Sequence, residues 1–127
     1  MIKALCNEVY RTLGPGYSEK VYHNALEVLL RKNEQKYETE KIIPIVFQEH
    51  TIGNLRADLV VNNSIIVECK AIKSLNPQMK YQALNYIHLT GIPQALMVNF
   101  PQGDSPQGCE FLDLSETEES SEVTFEQ

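Results

Sequence analysis

An α/β fold, with a sheet of short strands flanked by helices, is what the sequence predicts, and three observations predict it. Apolar residues recur at helical spacing before residue 32, the pattern then switches to β-branched and aromatic alternation up to Cys69, and a second helical stretch leads into a last buried strand. That order of elements suits an α/β sandwich rather than a regular βαβ repeat. A chain of 127 residues is the size of one domain.

Ala4, Leu5, Val9 and Leu13 space a short amphipathic helix over residues 3–12, and Gly14-Pro15-Gly16 breaks it. Ser18 is a candidate N-cap for a second helix, in which Val21, Tyr22, Ala25, Leu26, Leu29 and Leu30 recur at intervals of three and four. From Tyr37 to His50, Ile43, Ile45 and Phe47 alternate around Pro44, which fits an edge or irregular strand. Gly53-Asn54 reads as a turn, Leu55–Val61 as a strand, Asn62-Asn63 as the next turn and Ser64–Cys69 as the returning strand of an antiparallel meander. Asn76-Pro77 opens a helix that runs to about Thr90, where Gly91 and Pro93 stop it, and Ala95–Phe100 follows as a short strand. Asp104–Gly108 reads as a loop and Glu110–Leu114 as a last edge strand. The expected domain covers residues 1–114, and residues 115–127 form an acidic, Ser/Thr-rich tail expected to be loosely held.

The net charge of -6 is concentrated at the C-terminus: eight of the 17 acids follow residue 103, and no Lys or Arg does. Residues 1–103 carry 11 basic and 9 acidic side chains, a balance of +2 that is compatible with a phosphate-bearing partner without demanding one. The longest apolar runs fall far short of the roughly 20 residues of a membrane span, and the first residues lack a signal-peptide pattern, so a cytoplasmic protein without membrane partners is expected. Cys6, Cys69 and Cys109 are odd in number and widely spaced, which argues against a disulfide framework. His23, His50 and His88 lack metal-ligand spacing and read as surface or half-buried residues.

The residues that point to chemistry sit in the meander. Asp58 interrupts an apolar strand, where a carboxylate is costly unless a cation or hydrogen bonds compensate it. On the next strand Glu68 and Lys70 share one face and Cys69 points to the other. Pairing across Asn62-Asn63 would bring Asp58 and Glu68 together with Lys70 alongside. Two carboxylates suit a hard cation, Mg²⁺ or Mn²⁺, which activates water against a phosphodiester.

Several blocks of the chain resemble the GxxExxY proteins of the PD-(D/E)xK nuclease-like superfamily: Gly16-Tyr17-Ser18-Glu19-Lys20-Val21-Tyr22, Leu55-Arg56-Ala57-Asp58, Val67-Glu68-Cys69-Lys70-Ala71 and Gln82-Ala83-Leu84-Asn85-Tyr86. The resemblance covers roughly residues 5–100, with Leu55 in place of the usual aromatic. It implies a restriction-endonuclease-like core, with a central mixed sheet of four to five strands flanked by helices. It also implies a metal held by Asp58, Glu68 and the backbone carbonyl of Cys69, with Lys70 serving the attacking water and Glu19 and Gln82 reaching in from two helices. Lys73 and Lys80 flank the helix that carries Gln82 and are the candidates for nucleic-acid backbone contacts. The expected function is metal-dependent hydrolysis of nucleic acid, DNA ahead of RNA, by a homodimer or with a partner protein. The alternatives are a catalytically silent module of the same fold that binds nucleic acid or a protein, and a metal-independent interaction protein.

Overall fold

The computed structural model describes residues 1–103, 108–115 and 125–126. Two helices come first, α1 (Ile2–Leu13) and α2 (Glu19–Lys32), followed by the strands β1 (Tyr37–Phe47), β2 (His50–Val61) and β3 (Ile65–Lys70). A 3₁₀ turn at Pro77–Met79 leads into α3 (Lys80–Thr90), then β4 (Gln94–Asn99), β5 (Glu110–Ser115) and a two-residue strand, β6 (Phe125–Glu126). The strands lie side by side in chain order. Only β3 and β4 run parallel, which α3 makes possible by crossing over between them, so the sheet is mixed. The expected loop over 104–107 and the expected loose tail over 116–124 and 127 fall outside the described residues.

Alternation along the strands divides the sheet between two layers. Leu59, Val61, Val67, Cys69, Leu96 and Val98 pack under α1 and α2, against Leu5, Val9, Tyr22, Leu26 and Leu30. Val60, Ile66 and Ala95 face α3, against Ala83, Leu84, Tyr86 and Ile87. Each fully buried leucine among them contributes about 1.5–3 kcal/mol. No helix among the described residues is long and apolar enough to cross a membrane.

Helix α3 ends as its sequence dictates, at Gly91 in the left-handed conformation (φ 73°). Ser18 occupies the N-cap of α2, but its side chain makes no capping bond. Tyr22 secures this corner instead: its hydroxyl donates to the Gly14 carbonyl (2.6 Å), and its ring stacks on Phe100 with centroids 4.5 Å apart. Gly16 sits at φ 110°, and its N–H donates to Gln102 Oε1 (2.7 Å). Gly16 and Tyr22 therefore fix the loop that delivers Glu19 to the first turn of α2.

One turn differs from the expectation. Asn62-Asn63 turns as its sequence indicates, both residues at φ 52°, but Gly53-Asn54 lies inside β2, paired with Ile45 and Pro44. The hairpin instead turns at Gln48-Glu49, whose φ values are 47° and 69°. Two-residue hairpin loops need positive φ, and Asn and Gly advertise it where Gln and Glu do not.

Candidate active site

The β2–β3 ladder pairs Val61 with Ile65, Val60 with Ile66 and Leu59 with Val67, and there it stops. The next opposed pair is Asp58 and Glu68. Splaying strands leave backbone N–H groups without carbonyl partners, and an unpaired buried donor costs about 1–3 kcal/mol. The two acids resolve this reciprocally: the Asp58 N–H donates to Glu68 Oε1 and the Cys69 N–H donates to Asp58 Oδ2, both at 2.8 Å. On the other side of β2, Glu40 takes a positive φ (52°), and it and Asp58 drop out of the β1–β2 pairing. Ala57 packs in the α3 layer while Leu59, two residues on, packs under α2. Asp58 thus stands where β2 changes face, at the open end of the ladder.

Glu68 follows Ile66 onto the α3 face and is 7% exposed. Burial and the neighbouring Asp58 charge push its carboxyl up to about 8, against the opposing pull of the Asp58 N–H, the Lys70 charge and the Tyr86 hydroxyl. Tyr86 is fully packed in the core, and its hydroxyl donates to the Arg56 carbonyl (2.9 Å) while also bonding Glu68. Tyr86 thus stands between the Arg56 carbonyl and the Glu68 carboxyl, and its bond to Glu68 favours the charged form that burial and Asp58 disfavour. A cation at the pair would relieve the burial and like-charge cost that pushes the Glu68 carboxyl up.

Of the other predicted residues, Glu19 projects from the first turn of α2 into a cleft that it shares with Asp58, Lys20, His23, Glu40 and Arg56. Lys70 ends β3, half-buried, on the strand face of Glu68. Gln82 lies on α3 one turn before Tyr86, on the same helix face, but no hydrogen bond among the described residues joins it to Asp58 or Glu68. Lys73 is exposed on the loop after β3, which Asn99 and Glu110 anchor by bonds to Ile72 and Leu75. Lys80 opens α3 with its ammonium 5.2 Å above the Tyr81 ring. Neither lysine lines the cleft. Burial pushes the Cys69 thiol well up, with Cys6 and the charges of Asp58, Glu68 and Glu19 adding to it, so the side chain is an inert core group.

Two participants were not foreseen in the sequence. Tyr86 packs in the core, and its hydroxyl also reaches Glu68. His23, expected at the surface or half-buried, is 3% exposed. The signal was its spacing from Glu27, which places the two side chains together on α2, with Nε2 2.7 Å from Glu27 Oε2.

Among the described residues no three His, Cys, Asp or Glu side chains gather into a metal cage. The donor set present fits a cation held more lightly. Mg²⁺ is commonly bound by one or two carboxylates, with water and substrate phosphate completing the shell, and Asp58 with Glu68 supplies two carboxylates carrying excess negative charge.

The comparisons with known proteins bear on family and fold. The sequence model of the PD-(D/E)XK nuclease superfamily matches residues 1–110. The crystal structure of SSO0001 superimposes with a TM-score of 0.56 and 22% sequence identity, over 77% of this chain and 50% of its own. At that identity the likeness concerns the fold, and this chain spans about half the length of that protein. No curated protein matches.

Proposed function

Because the chain belongs to the PD-(D/E)XK nuclease superfamily, we propose that it hydrolyses phosphodiester bonds of nucleic acid, DNA ahead of RNA, with Mg²⁺ or Mn²⁺ held by Asp58, Glu68 and the Cys69 carbonyl. The observation that carries the reading is the reciprocal Asp58–Glu68 pair at the open end of the ladder, with Lys70 on the same strand face as Glu68. When bound, the cation supplies polarisation of a phosphoryl oxygen and acidification of water.

The chain's own groups do the rest. Asp58 and Glu68 each accept a backbone N–H, which restricts their side chains and lessens the ordering needed on binding. Lys70, on the face of Glu68, orients the attacking water and offsets the charge that develops on phosphate. Glu19 accepts hydrogen bonds from water in the cleft, and Gln82 steers the phosphate from α3. Lys73 and Lys80 lie outside the cleft and contact the nucleic-acid backbone as it leaves. A chain this small grips a duplex as a homodimer or through a partner protein. Its free cysteines, all buried, fit a reducing, cytoplasmic compartment.

A silent binding module of the same fold is the second reading, favoured by one observation: among the described residues no hydrogen bond links Gln82 to the acid pair. Calorimetric titration of Mn²⁺ into the wild type and Asp58→Asn, with cleavage assays on mixed DNA and RNA, separates the two. Binding lost in the variant together with metal-dependent cleavage supports the enzyme, binding without cleavage supports the module, and absence of binding to the wild type sinks both the site and the mechanism.

A further inference from the structure

The cleft beside Asp58 has a volume of about 80 Å³, room for a few water molecules. Its other wall is α2, and one residue there has no part in the chemistry above. His23 is 3% exposed, and an imidazole buried this far is costly unless its nitrogens are satisfied. Nε2 lies 2.7 Å from Glu27 Oε2 and 2.9 Å from Thr39 Oγ1.

Glu27 is itself held fast: the hydroxyls of Tyr37 and Thr39 each donate to it at 3.1 Å, and Arg31 approaches to 3.7 Å. A carboxylate only accepts, so Nε2 carries the hydrogen, and in the tautomer with hydrogen on Nε2 alone Nδ1 is an acceptor. No described group bonds Nδ1, and among the described residues no buried side-chain nitrogen or oxygen lacks a partner. Nδ1 therefore reaches solvent, and the solvent that His23 borders is the cleft shared with Asp58.

Lys20 pairs with Glu40 at 2.5 Å, and the Arg56 charge also bears on Glu40. Arg56 also lines the cleft; the acceptors there are Glu19, Asp58 and Nδ1, and water bound to a cation offers only donors.

We propose that His23, its tautomer set by Glu27, is a positioning residue for the cation at Asp58, accepting through Nδ1 a hydrogen bond from water in the cation's shell. The inference rests on the cation reading of Asp58. Groups of this kind, which orient the shell without touching the ion, change metal affinity about 10–100-fold when removed.

The test uses two variants that divide the ring. His23→Gln sets an amide where Nε2 was, keeping the bond to Glu27 and deleting Nδ1; His23→Asn sets an amide near Nδ1 and gives up Glu27. Imidazole nitrogen NMR at a pH of about 8, above the ordinary histidine range, should show the Nε2–H tautomer for His23, with an Nδ1 resonance that shifts on adding Mg²⁺. Calorimetry with Mn²⁺ should show affinity lowered about tenfold in His23→Gln, with its circular dichroism unchanged, and partly restored in His23→Asn. Wild-type affinity in His23→Gln, with binding lost in Asp58→Asn, overturns the role of His23 and leaves the metal site standing. Equal affinity in the wild type and Asp58→Asn overturns the metal site, and the inference with it.

Discussion

Replacing Glu68 by glutamine should remove a pH dependence that the fold builds into the metal-free protein. Burial and the Asp58 charge raise the Glu68 carboxyl from 4.5 to about 8. Between those limits the folded chain keeps a proton that the unfolded chain has lost, so the stability contributed by protonated Glu68 is fully present below 4.5 and is lost as pH rises through about 8. The slope is about 1.4 kcal/mol per pH unit, with a ceiling on the order of 5 kcal/mol across the window. Glutamine mimics the protonated acid: it accepts from the Asp58 N–H and donates as the carboxylic acid does. Urea unfolding at several pH values between 5 and 8, in the presence of a chelator, should therefore show the wild type weakening steeply with pH relative to Glu68→Gln. Adding Mg²⁺ should flatten the wild-type curve, and binding near neutral pH should release a proton, visible as a dependence of calorimetric heat on buffer. Parallel curves for the two proteins, or a wild type that gains on the variant as pH rises, would refute the account of Glu68.

Lys70→Ala should keep the fold and the Mn²⁺ affinity while cleavage falls by about 10² or more, which calorimetry and a nuclease assay on one sample can read. Tyr86→Phe removes the bond to the Arg56 carbonyl and should cost about 1 kcal/mol in chemical unfolding, with the core otherwise intact. Asp58→Ala strands the Cys69 N–H and should cost about 1–3 kcal/mol, whereas Asp58→Asn retains an acceptor and should unfold within about 1 kcal/mol of the wild type. Equal losses in the two Asp58 variants would mean that the backbone bond carries no weight.

Much of this architecture could be read from the chain because local signals and tertiary structure agree. Leu26 and Leu30 announce the buried face of α2, and Asn62-Asn63 supplies the positive φ that its turn needs. The register that opposes Asp58 to Glu68 also needs Ser64 in the loop, because Val61 pairs with Ile65, and the two asparagines alone do not say so. The failures lie where the deciding partner is distant or the residue type is silent. Gln48-Glu49 turns the hairpin without any turn residue, so the strand seemed to begin at Leu55. The hydroxyl of Tyr86 matters because α3 packs on a layer drawn from several strands and reaches the Arg56 carbonyl of β2, a packing that its own segment does not encode. His23 and Glu27 stand at helical spacing, but the meaning of the pair depends on Thr39 of β1 and on the cleft beyond it. Glu19 and Gln82 entered through family resemblance, and the structure brings Glu19 to the cleft while leaving Gln82 a turn away from Tyr86.

The reciprocal bonds between β2 and β3 bear on how lineages with this fold would age once selection for activity lapsed. Asp58 and Glu68 each close a backbone amide that the ladder leaves open, so selection for a folded chain protects both even where nothing is hydrolysed. Lys70 offers the sheet no such service through its side chain and is free to drift. Among descendants of such a chain, the pair of acids records the need to fold, and the lysine two places after the second acid, in the role proposed for it, would record the need to cut.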